Sequence, residues 1–346
     1  MSAKKYFITG GAGFIGSNFI LFLLRKYRDI RIVNFDNLTY AGNLQNLAAV
    51  ENDPRYSFYK GNICDTITVG TVLADFRPDY LVNFAAESHV DRSIESPDIF
   101  VTSNIQGTQN LLKAALQYGV EKYLQISTDE VYGSLGKTGY FTESTPLKPR
   151  SPYSASKAGA DLLTQAYFHT FDLPVNITRC SNNYGRFQFP EKLIPLTILH
   201  CLQGKKIPVY GDGKNIRDWI HVDDHCSAID SVLSKGVPGE VYNIGSDNER
   251  SNIEIVKSII RIVGEFRKDP VVSDALIHFV EDRKGHDRRY AIDATKIHKE
   301  LNWCPSVAFE TGLKETIAWY LENPGWLDSI VSKEYLSYYQ KVYGMR

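Results

Sequence analysis

The sequence predicts an α/β fold built on a doubly wound parallel sheet, with a smaller, partly interleaved substrate domain toward the C-terminus. Short apolar, β-prone runs alternate with segments whose apolar residues recur at helical spacing, which is typical of a parallel sheet covered by helices on both faces. A glycine-rich turn joins the first strand to the first helix, and polar side chains follow several later strands. In such sheets, ligands bind outside the carboxyl ends of the strands. We therefore expect the functional site at that edge.

The glycine turn that holds Gly10, Gly13 and Gly16 predicts a nucleotide site. It follows a strand predicted at residues 6–9 and precedes a helix predicted to begin near residue 17. The glycine spacing fits the dinucleotide fingerprint, because a tight turn lets the backbone approach a pyrophosphate and the helix N-terminus offers its N–H groups. A glycine turn without a ligand is the alternative. The order of strand, turn and helix favours a Rossmann-type domain.

Asp36 bears on which dinucleotide binds, because it ends the second predicted strand, at residues 31–35. An acidic residue about 20 positions after the glycine motif typically hydrogen-bonds a ribose 2′-hydroxyl, and its charge repels a 2′-phosphate. The neighbouring Asn37 and Leu38 include no arginine that would accommodate such a phosphate. The sequence therefore predicts NAD as the cofactor rather than NADP.

The third and fourth predicted strands, at residues 56–60 and 79–84, extend the same edge. Asn62 follows the third strand, where a residue either flanks an adenine or simply forms a turn. Ala85 and Ala86 follow the fourth strand, and small side chains there let a cofactor lie against the backbone. Both strand ends are compatible with a bound dinucleotide.

Two adjacent carboxyls, Asp129 and Glu130, come directly after a fifth strand predicted at residues 123–126. Their surroundings can push two neighbouring carboxyls to different pKa values, which gives one acid and one base. The alternative is that they are turn residues or helix caps. Because they stand at the ligand-binding edge of the sheet, we interpret them as candidate catalytic groups.

Tyr153 and Lys157 lie four residues apart on a helix predicted from residue 152, so they share one helix face. An ammonium close to a phenol favours the phenolate and lowers the pKa of the tyrosine from about 10. Tyr153 is therefore a candidate base toward a sugar hydroxyl. Such a pair on a helix is usually solvated surface, but its place after a nucleotide fold and a polar strand end favours function.

Composition excludes several other classes of protein. The 346 residues are 43% hydrophobic and 23% charged, as in ordinary globular domains, and a net charge of -1 gives no electrostatic footprint for nucleic acid or a membrane surface. Five scattered cysteines form neither a disulfide framework nor a metal pattern, which fits a reducing compartment. His221 and His225 lack the zinc-binding H-E-x-x-H pattern, so we interpret them as structural. We expect a cytoplasmic protein without metal, nucleic-acid or membrane partners.

The glycine motif with Tyr153 and Lys157 resembles the extended short-chain dehydrogenase/reductase superfamily. More narrowly, the chain resembles the dTDP-glucose 4,6-dehydratase family, whose members make dTDP-4-keto-6-deoxyglucose. The Thr-Asp-Glu triplet at residues 128–130 is the specific part, because epimerases of the superfamily generally lack the Asp-Glu pair. The matching segments cover nearly the whole chain and lie at residues 36–43, 85–93, 127–133, 182–185, 217–222 and 282–290.

The resemblance implies a lyase reaction with an internal NAD redox cycle, carried by Thr128, Asp129, Glu130, Tyr153 and Lys157. The sugar C4 hydride passes to NAD⁺ while Tyr153 takes the O4 proton, and Thr128 hydrogen-bonds the C4 oxygen. Glu130 then removes the C5 proton while protonated Asp129 gives a proton to the departing C6 hydroxyl. The hydride returns to C6 and Glu130 reprotonates C5. Asp129 and Glu130 thus have distinct tasks, acid and base.

The resemblance also implies the residues that contact each ligand. The predicted cofactor contacts are Gly10, Gly13, Phe14, Ile15, Gly16, Asp36, Asn37, Leu38, Thr39, Asn62, Ile63, Phe84, Ala85, Ala86, Ser88, Ser103, Tyr153, Lys157 and Asn183. The predicted substrate contacts are Ser88, His89, Thr128, Asp129, Glu130, Asn182, Lys192, Leu193, Pro208, Tyr210, Arg217, Asn252, Asp282, Arg283 and His286.

Three basic residues have different standing in this prediction. Arg217 suits a diphosphate because an arginine fork binds it bidentately. Lys192 is closer to an ordinary surface charge. Arg186 stands where this family usually has a proline, and it either moves the following loop or adds a diphosphate contact.

We predict an NAD-binding domain over residues 1–185 with a returning segment near residues 218–246. A mainly substrate-binding domain follows at residues 186–330, and a C-terminal helical tail at residues 331–346. The resemblance implies a homodimer through helices near residues 100–116 and 153–168.

Alternative functions use the same motifs less fully. The same 4,6-dehydratase chemistry on UDP- or CDP-glucose would need every catalytic group. A nucleotide-sugar 4-epimerase or decarboxylase would share Tyr153 and Lys157 but have no use for Asp129 and Glu130. A non-enzymatic NAD-sensing scaffold would leave all four residues without a role. The nucleotide-sugar 4,6-dehydratase is therefore the preferred hypothesis, with dTDP-glucose as the favoured substrate.

Overall fold

The structure is a computed structural model that describes residues 3–282 and 285–330. The predicted C-terminal tail therefore lies outside the described residues. The strands are β1 (Lys4–Thr9), β2 (Ile30–Asp36), β3 (Tyr56–Lys60), β4 (Tyr80–Asn83), β5 (Lys122–Thr128), β6 (Val175–Cys180), β7 (Asn182–Tyr184), β8 (Ile207–Tyr210), β9 (Ile216–His221), β10 (Val241–Ile244), β11 (Glu249–Ser251) and β12 (Ile277–Val280). The helices are α1 (Phe14–Lys26), α2 (Thr66–Phe76), α3 (Val90–Glu95), α4 (Pro97–Phe100), α5 (Gly107–Tyr118), α6 (Pro152–Phe171), α7 (Leu193–Gln203), α8 (Val222–Lys235), α9 (Asn252–Arg267), α10 (Thr295–Leu301), α11 (Phe309–Glu322) and α12 (Pro324–Ile330).

The predicted α/β fold with a Rossmann-type parallel sheet is confirmed. Within the described ranges, seven strands form one sheet in the order β10-β6-β5-β4-β1-β2-β3, and every neighbouring pair is parallel. Chain order runs outward from β1 in both directions, which is the doubly wound arrangement. The last strand, β10, comes from the second half of the chain. The carboxyl ends of all seven strands therefore meet at one edge.

Separate apolar cores pack against this sheet and in the C-terminal half. Phe19, Ile20, Leu23 and Leu24 of α1 are buried in the first core, as their helical spacing predicts. A second core, around Leu111 and Leu112 of α5, is distinct from the first. A third core joins α7, α9 and α11 with two small sheets, β11-β9-β7 and β12-β8. None of the described helices is long and apolar enough to cross a membrane.

Two short non-α turns join the regular elements near the site. Residues Asp129–Tyr132 form a single 3-10 turn directly after β5. Residues Val101–Gln106 form a π-helical turn between α4 and α5, so the helix predicted near residues 100–116 is interrupted. π-Helical turns inside helices frequently occur at functional sites.

Candidate active site

A cavity of about 370 Å³ lies at the carboxyl edge of the large sheet. Its wall includes Gly10 after β1, Asp36 at the end of β2, Phe84 after β4, Thr128 at the end of β5 and Cys180 at the end of β6. Parallel strands bring these positions together because their carboxyl ends share one edge. This cavity therefore lies at the edge of the sheet where the sequence predicts the functional site.

The cofactor end of the cavity is formed by backbone around the glycine turn. Gly10 has a φ of 67°, and a Cβ atom there would lie 2.6 Å from the backbone nitrogen of Ala85. At Gly16, a Cβ atom would clash with the carbonyl oxygen of Gly10. Glycine is thus required at position 10 for the turn to pack against the loop after β4, and at position 16 for the start of α1 to pack on the turn.

The N-terminus of α1 opens into this end of the cavity. Gly13 is the residue before the helix, and it has no side chain with which to cap the first N–H groups. Gly13, Phe14 and Ile15 all line the cavity. The first N–H groups of a helix have no partner within the helix, and the positive end of its dipole favours a phosphate. This end of the cavity therefore fits a pyrophosphate.

Asp36 offers acceptors for a ribose beside the glycine turn. Its side chain is buried, Oδ2 accepts a hydrogen bond of 2.9 Å from the Ala12 N–H, and Oδ1 accepts one of 2.7 Å from the Leu38 N–H. Burial raises the pKa of Asp36, while these two N–H groups act in the opposite direction. Each oxygen keeps a further lone pair for a hydroxyl. The residues present therefore fit NAD.

The turn after β5 places both predicted carboxyls in the wall of the same cavity. Thr128 caps the 3-10 turn, because its Oγ1 accepts a hydrogen bond of 3.3 Å from the Glu130 N–H. The Thr128 hydroxyl also donates to Asp129 Oδ1 at 3.3 Å. Thr128, Asp129 and Glu130 all line the cavity. The residue that caps the turn is Thr128, which leaves the two carboxyls facing the cavity.

The surroundings of Asp129 favour its protonated form. Its side chain is only 2% exposed. Burial raises the pKa of Asp129 well above its ordinary value, and the charge of Glu130 adds to the effect, while Arg217 opposes it. Oδ2 makes no hydrogen bond to any described residue. Asp129 therefore has a raised pKa, as a proton donor needs, and an oxygen without an internal partner.

Tyr153 and Lys157 line the same cavity from α6. The Lys157 Nζ donates a hydrogen bond of 2.6 Å to the carbonyl oxygen of Ile126, and burial lowers the pKa of this lysine. Burial raises the pKa of Tyr153 well above 10, and the charge of Glu130 adds to the effect. The expected lowering of the Tyr153 pKa by Lys157 is thus wrong. The ammonium is directed at a carbonyl, and desolvation of the phenol dominates.

Asn182 and Asn183, which belong to β7, also line the cavity. The Asn183 Nδ2 donates to the Ser181 carbonyl oxygen at 3.0 Å, and its Oδ1 accepts from His225 Nδ1 at 2.8 Å. Complete burial lowers the pKa of His225 to about 3, so this imidazole is neutral. His221 Nδ1 accepts a 3.3 Å hydrogen bond from the Asp223 N–H. Both histidines therefore hold local structure, and the described residues contain no cluster of metal-ligating side chains.

The structure divides the predicted contacts into two groups. The cavity wall contains most predicted cofactor contacts and part of the predicted substrate contacts, namely Gly10, Gly13, Phe14, Ile15, Gly16, Asp36, Asn37, Thr39, Asn62, Ile63, Phe84, Ala85, Ala86, Ser88, Ser103, Thr128, Asp129, Glu130, Tyr153, Lys157, Asn182, Asn183, Lys192 and Leu193. The predicted contacts that lie beyond this wall are Leu38, His89, Pro208, Tyr210, Arg217, Asn252, Asp282 and His286. Arg283 lies outside the described residues.

Several of the residues beyond the wall are joined to one another. The Tyr210 hydroxyl donates to Asp91 at 3.0 Å, and the ring centroids of Tyr210 and His286 lie 6.0 Å apart. His286 Nδ1 is 2.6 Å from Asp282 Oδ1. This cluster lies at β8, at α3 and in the segment after β12. Its binding of the nucleotide part of a substrate remains a prediction. Lys192, in contrast, donates to the Ser88 carbonyl oxygen at 2.8 Å and is not a free surface charge.

Arg186 ties the loop after β7 to the first helix. Its Nε donates to Asn18 Oδ1 at 2.8 Å, and its guanidinium lies 3.5 Å from the carboxylate of Asp223. The Asn18 amide donates back to the Arg186 carbonyl oxygen at 3.1 Å. These contacts favour the interpretation in which Arg186 sets the position of the following loop.

Sequence reasoning missed cavity-lining residues that stand beside recognised motifs. Glu87 and Trp219 lie inside quoted segments, so adjacency to a motif was the available signal. Gln188, Phe189 and Glu191 follow the Asn182–Tyr184 strand, and their polar and aromatic character alone gave no signal. The missed residues are Phe35, Ala41, Gly42, Gly61, Glu87, Ile126, Ser127, Cys180, Ser181, Gln188, Phe189, Glu191, Ile194 and Trp219.

Comparison with known proteins gives one consistent family. A family model described as GDP-mannose 4,6-dehydratase matches residues 7–316. A curated dTDP-glucose 4,6-dehydratase from Xanthomonas campestris pv. campestris (strain B100) is 51% identical over 341 residues, which cover 95% of this chain and 97% of that protein. The motif-based resemblance is confirmed at the level of the whole chain.

Solved structures agree with the sequence relatives. A dTDP-glucose 4,6-dehydratase from Streptomyces venezuelae, solved with NAD and dTDP bound, has a TM-score of 0.90 and 47% identity, covering 94% of this chain and 99% of its own. A second, from Bacillus anthracis str. Ames in complex with NAD, has a TM-score of 0.87 and 51% identity, covering 95% of this chain and 100% of its own. Both carry NAD, the cofactor that the glycine turn and Asp36 fit here.

Proposed function

The chain belongs to the GDP-mannose 4,6-dehydratase family, with dTDP-glucose 4,6-dehydratases as its relatives, and on that premise we propose that it dehydrates dTDP-glucose to dTDP-4-keto-6-deoxyglucose. The observation that carries this proposal is that a buried Asp129, whose pKa is raised, lines one cavity with Glu130 and Tyr153. An enzyme that only oxidised and reduced C4 would need the tyrosine but not an acid and a base beside it. NAD⁺, when bound, supplies a reversible hydride acceptor and a positive charge.

Tyr153 and Thr128 act at the C4 oxygen in the oxidation step. Tyr153 takes the O4 proton, which makes C4 a ketone as its hydride leaves. Burial raises the pKa of this phenol, so a positive charge close to it would favour its action as a base. Lys157, held by its hydrogen bond to the Ile126 carbonyl, supports the developing negative charge from the same helix face.

Asp129 and Glu130 act in the elimination step. The C4 ketone makes the C5 proton acidic, and Glu130 removes it as a base. Asp129 gives its proton to the C6 hydroxyl, which leaves as water. Glu130 then returns a proton to C5 when C6 is reduced. The raised pKa of Asp129 suits this task, because a carboxylic acid that is already ionised has no proton to give.

The sugar nucleotide is tested by parallel incubations of the purified protein with dTDP-, UDP- and CDP-glucose. We expect the 4-keto-6-deoxy product from dTDP-glucose, with solvent deuterium at C5 when the reaction runs in D₂O. Product from UDP- or CDP-glucose alone would move the assignment to that nucleotide. A 4-epimer of the substrate without loss of water would replace the dehydratase by the epimerase.

We also propose a cytoplasmic homodimer that contacts through the segments near residues 100–116 and 153–168, which are the π-helical turn with α5 and α6. Val101, Leu116 and Leu162 are large apolar side chains on these elements, with exposed fractions of 54%, 40% and 56%. Apolar side chains exposed together are typical of a surface covered by a partner. Light scattering should give twice the chain mass, and Leu162→Glu should shift it toward the monomer. A monomeric parent protein would refute the dimer.

A further inference from the structure

Arg179 lies buried between the two catalytic elements and contacts both. It belongs to β6 and is 2% exposed. Its Nε donates to Asp161 Oδ2 at 2.8 Å, and its Nη1 donates to the Tyr132 hydroxyl at 3.0 Å. The guanidinium also lies 4.9 Å from the centre of the Tyr132 ring. None of these three residues lines the cavity formed by the described residues.

Each partner of Arg179 stands on an element that carries reacting groups. Asp161 lies on α6, four residues after Lys157 and eight after Tyr153, so the three share one face of the helix. Tyr132 ends the same 3-10 turn that begins with Asp129 and Glu130. One guanidinium therefore bridges the helix of the oxidation step and the turn of the elimination step.

The far end of this bridge is fixed to the edge of the sheet. The Tyr132 hydroxyl donates to Asn243 Oδ1 at 2.8 Å. The Asn243 amide donates to the carbonyl oxygens of Phe141 and Asp293 at 3.1 and 3.3 Å. The Tyr132 ring stacks on Phe141, with centroids 5.0 Å apart. The tyrosine is therefore held by both its hydroxyl and its ring.

A buried ion pair is a poor device for stability alone, because desolvation of both charges offsets their attraction. An arginine fork is planar and rigid, however, and it fixes the relative position of two acceptors. Catalysis is sensitive to such positions, since a displacement of about 1 Å can cost about a hundredfold in rate. The arrangement thus suits a positional role better than a purely stabilising one.

We propose that Arg179 is a positioning residue that sets the spacing between the Tyr153–Lys157 face of α6 and the Asp129–Glu130 turn. With this spacing fixed, one bound substrate can present C4 to the Tyr153–Lys157 face, and C5 and C6 to the Asp129–Glu130 turn, without moving. The inference rests on the dehydratase function proposed above. The two contacts, or arms, of Arg179 serve different steps. The contact with Asp161 serves oxidation, and the contact with Tyr132 serves elimination.

Two variants each remove one arm. Tyr132→Phe deletes the hydroxyl but keeps the ring that stacks on Phe141, and Asp161→Asn deletes the charge of the partner on α6. In single-turnover reactions, we expect Tyr132→Phe to slow C5 deuterium exchange about tenfold, with reduced cofactor accumulating. We expect Asp161→Asn to slow the appearance of reduced cofactor about tenfold, without accumulation.

The matched control is Tyr242→Phe. The Tyr242 hydroxyl is bonded to the Val237 N–H and to Glu300, both at 3.1 Å, and its ring is fully buried on β10. This variant loses a buried tyrosine hydroxyl away from the cavity, so both steps should stay within about twofold of the parent. Thermal unfolding of all variants reports folding. If Asp161→Asn does not fold, Tyr132→Phe alone decides: slowing of the elimination step only supports the positioning role, and any other result contradicts it.

The outcomes separate this inference from the proposed function. If the parent protein forms no 4-keto product, the dehydratase assignment fails. If the parent turns over but both variants slow the same step, or neither slows any step, Arg179 has no positioning role. A crossed pattern, in which each variant slows its own step, is the result that supports it.

Discussion

The two ends of the cavity differ in the part of the chain that forms them, which is mainly backbone at one end and side chains at the other. Apart from Asp36, the cofactor end consists mainly of backbone: a glycine turn that excludes side chains and the uncapped N-terminus of α1. The other end holds the proposed catalytic groups, among them the buried Asp129 and Tyr153, whose pKa values depend on burial and on the charge of Glu130. A dinucleotide needs close approach and a fixed dipole, whereas proton transfer needs groups whose charge can change. A substitution should therefore damage the first end through shape and the second through protonation.

Glu130→Gln should have the largest effect, because it removes the base for the C5 proton while leaving the oxidation groups in place. We expect the overall rate to fall about a thousandfold. Reduced cofactor should still form slowly after dTDP-glucose is added, and its absorbance is the measurement. Normal turnover by this variant would show that the C5 base is another residue.

Asp129→Asn should lower the overall rate about a hundredfold, because an amide has no proton to give to the leaving hydroxyl. The same substitution should increase the free energy of unfolding at neutral pH. Because the pKa of Asp129 is raised in the fold, the unfolded chain loses this proton near pH 4, before the folded protein does. Above that pH, the free energy of unfolding falls by about 1.4 kcal/mol per pH unit until folded Asp129 ionises.

Chemical denaturation at several pH values checks the stability part of this prediction. The asparagine variant should lose less stability than the parent between acid and neutral pH. Equal pH dependence in the two proteins would mean that Asp129 is ionised in the fold, and its assignment as the acid would then be wrong.

Gly10→Ala tests the backbone end. A φ of 67° disfavours alanine, and its Cβ atom would press on the Ala85 backbone. We expect a loss of about 2 kcal/mol in the free energy of unfolding, measured by denaturant titration. Gly13→Ala is the matched control, since Gly13 has a φ of −78° and the nearest described atom to its Cβ would be 3.3 Å away. Equal losses in the two variants would contradict the role given to Gly10.

Asp36→Asn should have the smallest effect, because only one acceptor group for the ribose changes. We expect NAD affinity to fall about tenfold, or about 1.4 kcal/mol, and the preference for NAD over NADP to narrow. Calorimetric titration of the cofactor-free protein with each dinucleotide measures both quantities. An unchanged preference would show that Asp36 does not read the 2′ position.

The difference between the two ends also explains how much of the site could be predicted. The glycine turn and Asp36 are local in sequence, so spacing alone places them. Asp129 and Glu130 are adjacent, and their position after a strand indicated the ligand-binding edge. Contacts between distant segments left no such signal. The direction in which the pKa of Tyr153 shifts depends on the burial of its phenol and on the atom to which the Lys157 ammonium donates. A sequence motif shows neither.

The same limit applies to residues that support the site. Arg179 meets Asp161 across 18 positions and Tyr132 across 47, and Arg186 meets Asn18 across 168. Such pairs form only once the sheet brings their strands together. The fold class was accessible because alternating strands and helices repeat locally. The division into two domains stays a prediction, as do the individual roles of the contact residues.

The position of β10 at the edge of the large sheet has a consequence for synthesis on the ribosome. Val241–Ile244 pair with β6, although 60 residues of the other half of the chain separate the two strands. Until those residues have been made, β6 is an open edge that can pair with another chain. A fragment that stops at residue 185 should therefore aggregate, and the nascent protein should depend on chaperones until residue 244 has emerged.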